Sequence, residues 1–151
     1  MMSNPLRIFL DVCCLNRPFD DRRQSRIALE AQAVLEILNH CQNGTHKLIT
    51  SSSLQAEIAQ TPNLERQTNV MILLAIAKIK VLHSPALEKR IHEIQQMGFT
   101  PYDAAHLASA EKGKADIFLS TDDRLLKKAQ KNANLIQVSV NNPVQWLIEN
   151  H

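Results

Sequence analysis

The sequence predicts an α/β fold, a three-layer α/β/α sandwich around a central parallel sheet of four or five strands. Short apolar runs of strand length alternate with longer helical stretches along the chain. This alternation is typical of parallel strands joined by crossover helices. The 151 residues are enough for one domain with a core of its own. Because 44% of the residues are hydrophobic and only 4% are aromatic, that core is expected to be aliphatic.

Five short apolar segments are predicted to be the strands of the sheet. They cover residues 6–10, 46–50, 81–82, 115–119 and 136–138. Asp11 follows the first segment, and four polar residues, 120–123, follow the fourth. In an open parallel sheet, ligands bind outside the carboxyl ends of the strands. Both polar positions are therefore expected at the edge where such folds place their chemistry.

The helices are predicted from apolar periodicity and from residues that start or stop a helix. They are expected at 24–41, at a capping box formed by Ser52 and Gln55, and at 64–79, 85–98, 100–113, 124–132 and 142–146. Thr100 caps the fifth of these, with Pro101 in its first turn and Gly113 at its end. Residues 11–21, which contain Pro18, are predicted to form a loop.

Composition narrows the class of protein. A net charge of +2 and a pI near 8.5 allow a nucleic-acid partner without arguing for one. The three cysteines, Cys13, Cys14 and Cys41, have no metal-binding spacing and are expected to be reduced thiols. No apolar run reaches the length of a membrane span, and no signal core follows the amino terminus. A soluble, cytoplasmic protein without a membrane partner is expected.

Acidic residues recur where the predicted strands end or the next helix begins. They are Asp11, Glu57, Asp103 and Asp123. A parallel sheet would bring these positions to one edge. Crowded carboxylates repel one another unless a cation neutralises them. Oxygen-rich sites of this kind suit Mg²⁺ or Mn²⁺, which bridge carboxylates to phosphate. The residues alone therefore indicate phosphoryl chemistry.

Two motifs and two further acids together resemble a PIN domain across essentially the whole chain. The acids are Asp11 after the first strand and Glu57 in mid-chain. The first motif spans residues 101–108 and includes Asp103, His106, Leu107 and Ala108. The second spans residues 120–126 and includes Thr121 and Asp123. PIN domains are metal-dependent nucleases, and many bacterial members are VapC-like ribonuclease toxins of toxin–antitoxin pairs.

The resemblance implies a single PIN-like domain over residues 1–151 that cuts RNA with a metal-activated water and no covalent intermediate. Asp11, Glu57 and Asp103 match the three core metal-site acids, and Asp123 matches the more variable fourth, ahead of Asp122. Mg²⁺ or Mn²⁺ is the expected cofactor, RNA the substrate, and a cognate antitoxin and a homodimer the expected partners. One departure concerns the loop after Asp11, where Cys13 and Cys14 intervene and Asn16 arrives later than the family's usual Asn.

Each acid also has a purely structural interpretation. Asp103 is placed to cap its own helix, and Asp122 and Asp123 are placed to be first-turn acids of the next one. Glu57 on a helical face would ordinarily be a solvated surface residue. Asp11 has the strongest physical argument for function, because a carboxylate at the end of a buried strand is costly unless paired.

Other residues also leave two interpretations open. His106 shares a helical face with Asp103, and packing or a hydrogen bond beneath the site is favoured over metal binding. Ser120 and Thr121 either orient a water or cap a helix. An arginine group, Arg17, Arg22, Arg23 and Arg26, either grips RNA phosphates or lies on a solvated helix start. The apolar run 70–76 is expected to be core, with width enough to include a dimer or antitoxin surface.

Two other functions compete with the ribonuclease. The same fold without catalysis would be an RNA- or protein-binding module, which metal titration would distinguish. A receiver-like signalling domain would need a Lys after a late strand, and none directly follows residues 136–138.

Overall fold

A computed structural model describes residues 5–150 of the chain. It contains one five-stranded sheet in which every neighbouring pair is parallel, in the order β3-β2-β1-β4-β5. The strands are β1 (Arg7–Leu10), β2 (Lys47–Ser51), β3 (Ile79–Val81), β4 (Ile117–Leu119) and β5 (Val140–Asn141). The predicted α/β/α fold is confirmed, with β1 in the centre of the sheet.

Eight α-helices connect and cover the strands within residues 5–150. They are α1 (Val12–Asn16), α2 (Ser25–Gln42), α3 (Ser52–Ile58), α4 (Leu64–Leu74), α5 (Pro85–Gln96), α6 (Pro101–Lys112), α7 (Asp123–Lys131) and α8 (Pro143–Glu149). None of these helices is both long and apolar enough to cross a membrane. The core is aliphatic as predicted, with Phe9 and Phe118 stacked at 5.1 Å between ring centroids on the two central strands.

Helix α6 follows the sequence signals closely. Thr100 caps it by accepting a hydrogen bond from the Asp103 N–H at 3.2 Å, and Gly113 ends it. Its middle, residues 104–110, is buried, as its small residues predict. At Gly113 the helix end comes so close to the sheet that an added Cβ would lie 3.1 Å from Val81 and 3.3 Å from Ile49. The short side chains therefore let α6 lie directly on β2 and β3.

The loop prediction for residues 11–21 is wrong in its first half. Asp11 turns the chain directly into α1, and a 3₁₀ turn, Arg17–Phe19, follows. The carboxylate of Asp11 caps α1 by accepting a hydrogen bond from the Cys14 N–H at 3.0 Å. Pro18 lies inside the 3₁₀ turn, where its missing N–H costs little. A local cap thus makes a helix where proline alone indicated a loop.

Three element boundaries between residues 51 and 82 also differ from the predictions. The cap of α3 is Ser51, whose hydroxyl accepts from the Leu54 N–H at 3.0 Å, rather than Ser52. Helix α4 ends at Leu74 and not at residue 79, and β3 covers Ile79–Val81 instead of 81–82. The apolar residues up to 79 satisfy both helix and strand patterns, so the periodicity did not separate the two elements.

The last strand is displaced from its predicted position. Residues 136–138 are not a strand, and β5 is the two-residue Val140–Asn141. Side chains hold the segment before β5 instead: Glu111 accepts from the Gln137 N–H at 2.8 Å, and Arg90 donates to the Leu135 carbonyl at 2.7 Å. Ile136 is still buried. The apolar pattern therefore predicted the burial of this segment correctly, but it did not predict which residues pair with β4 as a strand.

Candidate active site

Asp11 lies at the carboxyl end of the central strand and is only 3% exposed. Its N–H donates to the Leu119 carbonyl of β4 at 3.2 Å. Burial raises the pKa of its carboxyl to about 6, and the hydrogen bonds from Ser120 and Cys14 offset only part of that rise. Because no arginine or lysine pairs with it among residues 5–150, Asp11 is a buried acid with an incompletely compensated charge.

Asp103 lies in the first turn of α6 and is half-buried. Burial raises the pKa of Asp103, and the charges of Asp122 and Glu57 raise it further, while Thr100 and His106 act in the opposite direction. Two of its neighbours are therefore other carboxylates. The capping role predicted for Asp103 is present, and it coexists with a position among these acids.

Glu57 extends from α3 to the imidazole of His106 on α6. The Nε2 of His106 lies 2.6 Å from the Glu57 carboxylate. The His106 ring is 1% exposed, stacks on Tyr102 at 5.9 Å and lies 6.0 Å from the Phe9 ring. Its Nδ1 has no hydrogen-bond partner within residues 5–150. Both contacts predicted as alternatives for His106, packing and a hydrogen bond, are present.

Asp122 and Asp123 occupy different surroundings although they are adjacent. Asp122 caps α7 by accepting from the Arg124 N–H at 2.9 Å, and its own N–H donates to the Ser120 hydroxyl at 3.0 Å. Ser120 also hydrogen-bonds Asp11, so this loop is tied to the buried acid. The charge of Asp122 reaches Asp103 and raises its pKa.

Asp123 is instead held by Arg26 from α2. The two guanidinium nitrogens donate to its two oxygens at 2.9 and 2.8 Å, and its side chain is 61% exposed. Arg26 thereby lowers the pKa of Asp123. The sequence analysis ranks Asp123 ahead of Asp122, but the structure directs Asp123 toward an arginine and Asp122 toward the other acids.

The electrostatic surroundings of Cys13 indicate which of the acids lie near one another. Burial raises the pKa of its thiol, and the rise is increased by four carboxylates, which are Asp11, Asp122, Asp103 and Glu57. Asp123 is not among the causes. The structure therefore brings together three of the four predicted acids, with Asp122 as the fourth member. We call these residues, Asp11, Glu57, Asp103 and Asp122, the acid cluster.

The acid cluster has the donor chemistry of a hard divalent cation. All of its ligand atoms are carboxylate oxygens, and burial without a cation raises the pKa of both Asp11 and Asp103. Within residues 5–150, no three His, Cys, Asp or Glu side chains are already arranged as a metal site. Glu57 is directed to His106 and Asp122 to its helix cap. The residues fit a cation by their donor chemistry, with Glu57 already oriented by His106 and Asp122 by its cap of α7.

A family model, described as PIN domain, matches residues 8–131 of the chain. The chain belongs to the PIN domain family. PIN domains are generally nucleases, and they generally use divalent metal ions.

Solved structures share the fold of this PIN domain. One is PAE2754 from Pyrobaculum aerophilum, with a TM-score of 0.56 and 14% identity over 95% of this chain and 88% of that chain. Another is VapBC2 from Rickettsia felis bound to a DNA fragment from their promoter, with a TM-score of 0.54 and 13% identity over 91% of this chain and 98% of that one. No curated protein matches the chain by sequence.

The arginines near Asp11 in sequence are engaged within this PIN domain. Arg17 donates to Glu30 at 2.8 Å and to Asp20 at 2.9 Å, and Arg26 bridges Glu30 and Asp123. Arg23 pairs with Asp21, and Arg22 donates to the Pro18 carbonyl at 2.9 Å. These contacts favour the structural interpretation of the arginine group over a phosphate grip.

In α1, directly after Asp11, the side chains of Asn16 and Cys14 have partners outside the acid cluster. Asn16 accepts from Arg66 at 3.1 Å and donates to the Val12 carbonyl at 3.0 Å. The Cys14 thiol donates to the Leu119 carbonyl at 3.3 Å, and burial raises its pKa well above the ordinary value. Cys13 and Cys14 are both free thiols, as predicted. Helix-cap preference marks Asp122 as the residue directly before α7, but no local signal in the sequence assigns Asp123 to Arg26.

Proposed function

We propose that this PIN domain is a divalent-metal-dependent endoribonuclease that hydrolyses RNA phosphodiester bonds at the acid cluster. The observation that carries the proposal is that four carboxylates surround Cys13 at the carboxyl edge of the sheet. Two of them have raised pKa values, and within residues 5–150 none forms an ion pair with arginine or lysine. Asp11, Glu57, Asp103 and Asp122 are the proposed metal-binding and catalytic residues. Asp123 belongs to the Arg26 contact in this proposal.

Several residues in and around the acid cluster have definable tasks in this chemistry. Mg²⁺ or Mn²⁺, when bound, supplies the positive charge that favours deprotonated water and a departing oxygen. Asp11 provides the most deeply buried oxygens, held in place by the Cys14 N–H and the Ser120 hydroxyl. His106 holds the carboxylate of Glu57, which three rotatable bonds would otherwise leave free. Ser120 orients both Asp11 and Asp122.

The decisive experiment compares point variants in the cleavage of a labelled RNA with Mn²⁺. Asp11→Asn and Asp103→Asn are expected to lose activity by at least about 100-fold with an unchanged circular dichroism spectrum, since mispositioned or missing active-site groups cost that much. Asp122→Asn and Asp123→Asn form a matched pair. Asp122→Asn is expected to lose about tenfold or more, and Asp123→Asn to stay within about twofold. Equal cleavage by wild type and Asp11→Asn would refute the site.

The binding-module alternative gives a different result in the same experiment. Such a module would bind RNA without cutting it, and Mn²⁺ would not raise its melting temperature. A site that binds the ion gains stability of about 2.7 kcal/mol at a hundredfold excess over the dissociation constant. The Glu57–His106 contact is the reason to test this alternative, because it already engages one of the proposed metal-binding carboxylates.

A toxin role with an antitoxin partner and a homodimer completes the proposal. It rests on the resemblance to VapC-like proteins and on the shared fold with VapBC2 of Rickettsia felis. A cavity of about 310 Å³ between α2 and α4 adds an apolar surface that includes Leu35, Ile72 and Ile76, and Ile72 is 61% exposed. Of the run 70–76, Val70 and Leu74 are core and Ile72 is surface.

The homodimer is tested by light scattering. Ile72→Glu is expected to convert a dimer to a monomer without unfolding it, since the side chain is exposed. A wild-type monomer would contradict this part of the proposal and leave the nuclease unaffected. A cytoplasmic location is part of the same proposal. It agrees with an RNA substrate and with the free cysteines.

A further inference from the structure

Helix α7 carries a concentration of positive charge without an ion-paired acid in the described part of the chain. Four of its nine residues are cationic, namely Arg124, Lys127, Lys128 and Lys131. None of the four forms an ion pair with an acid in the described part of the chain, and three of them are exposed. The arginines near Asp11 are engaged by acids or carbonyls, as shown above. Because the whole chain has a net charge of only +2, this charge is a local feature.

This helix begins at the acid cluster. Asp122 is its N-cap, and a cavity of about 120 Å³ opens between the starts of α6 and α7. Asp103 and Asp122 line that cavity, and so do Arg124 and Lys128. Arg124 and Lys128 are four residues apart, so they lie on one face of α7. Two acids of the proposed site and two cations thus share one small cavity.

Lys128 is held in position while keeping capacity for a ligand. Its Nζ donates to the Gly98 carbonyl at 2.6 Å and lies 5.8 Å from the centre of the Phe99 ring. An ammonium group has three donors, so two remain. Since the lysine is already ordered, binding an anion costs less side-chain entropy than it would for a free lysine. No hydrogen bond engages the Arg124 guanidinium within residues 5–150, and the side chain is exposed.

A nucleic-acid backbone that approaches four carboxylates meets like charge. A pair of cations beside those carboxylates removes part of this repulsion and fixes the register of the strand. We propose that Arg124 and Lys128 form a subsite for a backbone phosphate next to the bond that is cut, with Lys127 and Lys131 continuing the track along α7. The inference rests on the proposed nuclease function and names how its substrate is held. Single-stranded nucleic acid is the ligand, bound through its phosphates.

The salt dependence of binding tests this subsite without any need for cleavage. Anisotropy of a labelled single-stranded RNA of about 12 nucleotides is measured on Asp11→Asn protein in EDTA, from about 50 to 200 mM salt. Each lost phosphate contact flattens the slope of log K against log salt by about 0.7 for a single strand. Arg124→Gln/Lys128→Gln is therefore expected to flatten it by about 1.4. The same change is expected with DNA of equal sequence, since phosphates carry no sugar information.

The chain provides a matched control of equal charge. Lys47 and Lys78 are exposed at the amino ends of β2 and β3, on the opposite edge of the sheet. Lys47→Gln/Lys78→Gln should leave the slope unchanged. Arg124→Gln alone, at an exposed side chain, covers the case in which the double variant misfolds, and a flattening of about 0.7 is expected. Lys128→Arg should keep the wild-type slope.

The outcomes separate this inference from the nuclease proposal. Equal flattening by the control and the α7 variants would overturn the subsite, because binding would then follow net charge alone. An unchanged slope in Arg124→Gln would also overturn it, even if the wild type cuts RNA. A flatter slope in the α7 variants alone, together with a wild-type protein that does not cut RNA, would support the subsite and refute the nuclease.

Discussion

Two acids of this PIN domain, Glu30 and Asp11, are buried to a similar extent, but their negative charges are compensated differently. Glu30 on α2 is 1% exposed and receives hydrogen bonds from Arg17 at 2.8 Å, Arg26 at 3.2 Å and the Asn142 amide at 2.7 Å. Asp11 is 3% exposed, and its donors within residues 5–150 are neutral, namely the Cys14 N–H and Ser120. The comparison shows that partners decide what a buried carboxylate does. The first is neutralised by the chain itself, and the second leaves room for an external cation.

The largest expected effect is at Asp11, where Asn should raise stability although it is expected to abolish cleavage. Its pKa is about 6 in the folded protein against an ordinary 3.8, so its favourable contribution is complete below about pH 4 and is lost as pH rises through 6. Above about pH 7 the ionised group costs roughly 3 kcal/mol. Asp11→Asn keeps the cap acceptor and cannot ionise. It is therefore expected to be more stable than wild type by up to about 3 kcal/mol at pH 8.

Urea denaturation without divalent ions, at about pH 4 and pH 8, measures this difference. The gain should disappear at the lower pH, where both proteins are neutral at this position. Asp116→Asn, on the opposite edge of the sheet, is the control and should show no such gain. A destabilised Asp11→Asn at pH 8 would mean that the buried charge is better compensated than its neutral partners indicate.

The next largest effect has the opposite sign and concerns Glu30. Glu30→Gln removes the charge that neutralises Arg17 and Arg26, and it is expected to lower the free energy of unfolding by about 2 kcal/mol. Glu36→Gln, exposed on the same helix, is the control and should change little. Equal stability of the two variants would remove the distinction between a neutralised and an uncompensated acid.

The smallest of these effects concerns the hydrogen bond between His106 and Glu57. His106→Phe keeps a ring against Tyr102 and loses the hydrogen bond, so Mn²⁺ affinity measured by calorimetry is expected to fall about tenfold. His106→Gln retains an N–H donor and should recover part of that loss. If both variants bind Mn²⁺ as wild type does, Glu57 needs no support from this imidazole.

The segment from Thr100 to Leu119 was predictable because its signals are local. Thr100 and Gly113 mark the ends of α6, and the apolar run before Ser120 marks β4. The choice between Asp122 and Asp123 was not local, since it depends on Arg26, 97 residues away in the chain. The position of β5 likewise depends on Arg90 and Glu111. Long-range ionic partners thus decided what periodicity and capping left open.

The tight fit of Gly113 has a consequence for the far end of its helix. From Gly113 to Asp103, α6 spans about 15 Å as one rod. A side chain at position 113 would lie closer to Val81 and Ile49 than an ordinary contact, so these side chains or the helix end would have to shift by a few tenths of an ångström. A shift of the helix end would be passed along the rod to Asp103, while Asp11 is fixed to a different strand. The packing of one glycine therefore bears on the relative placement of two acids that lie a helix length away.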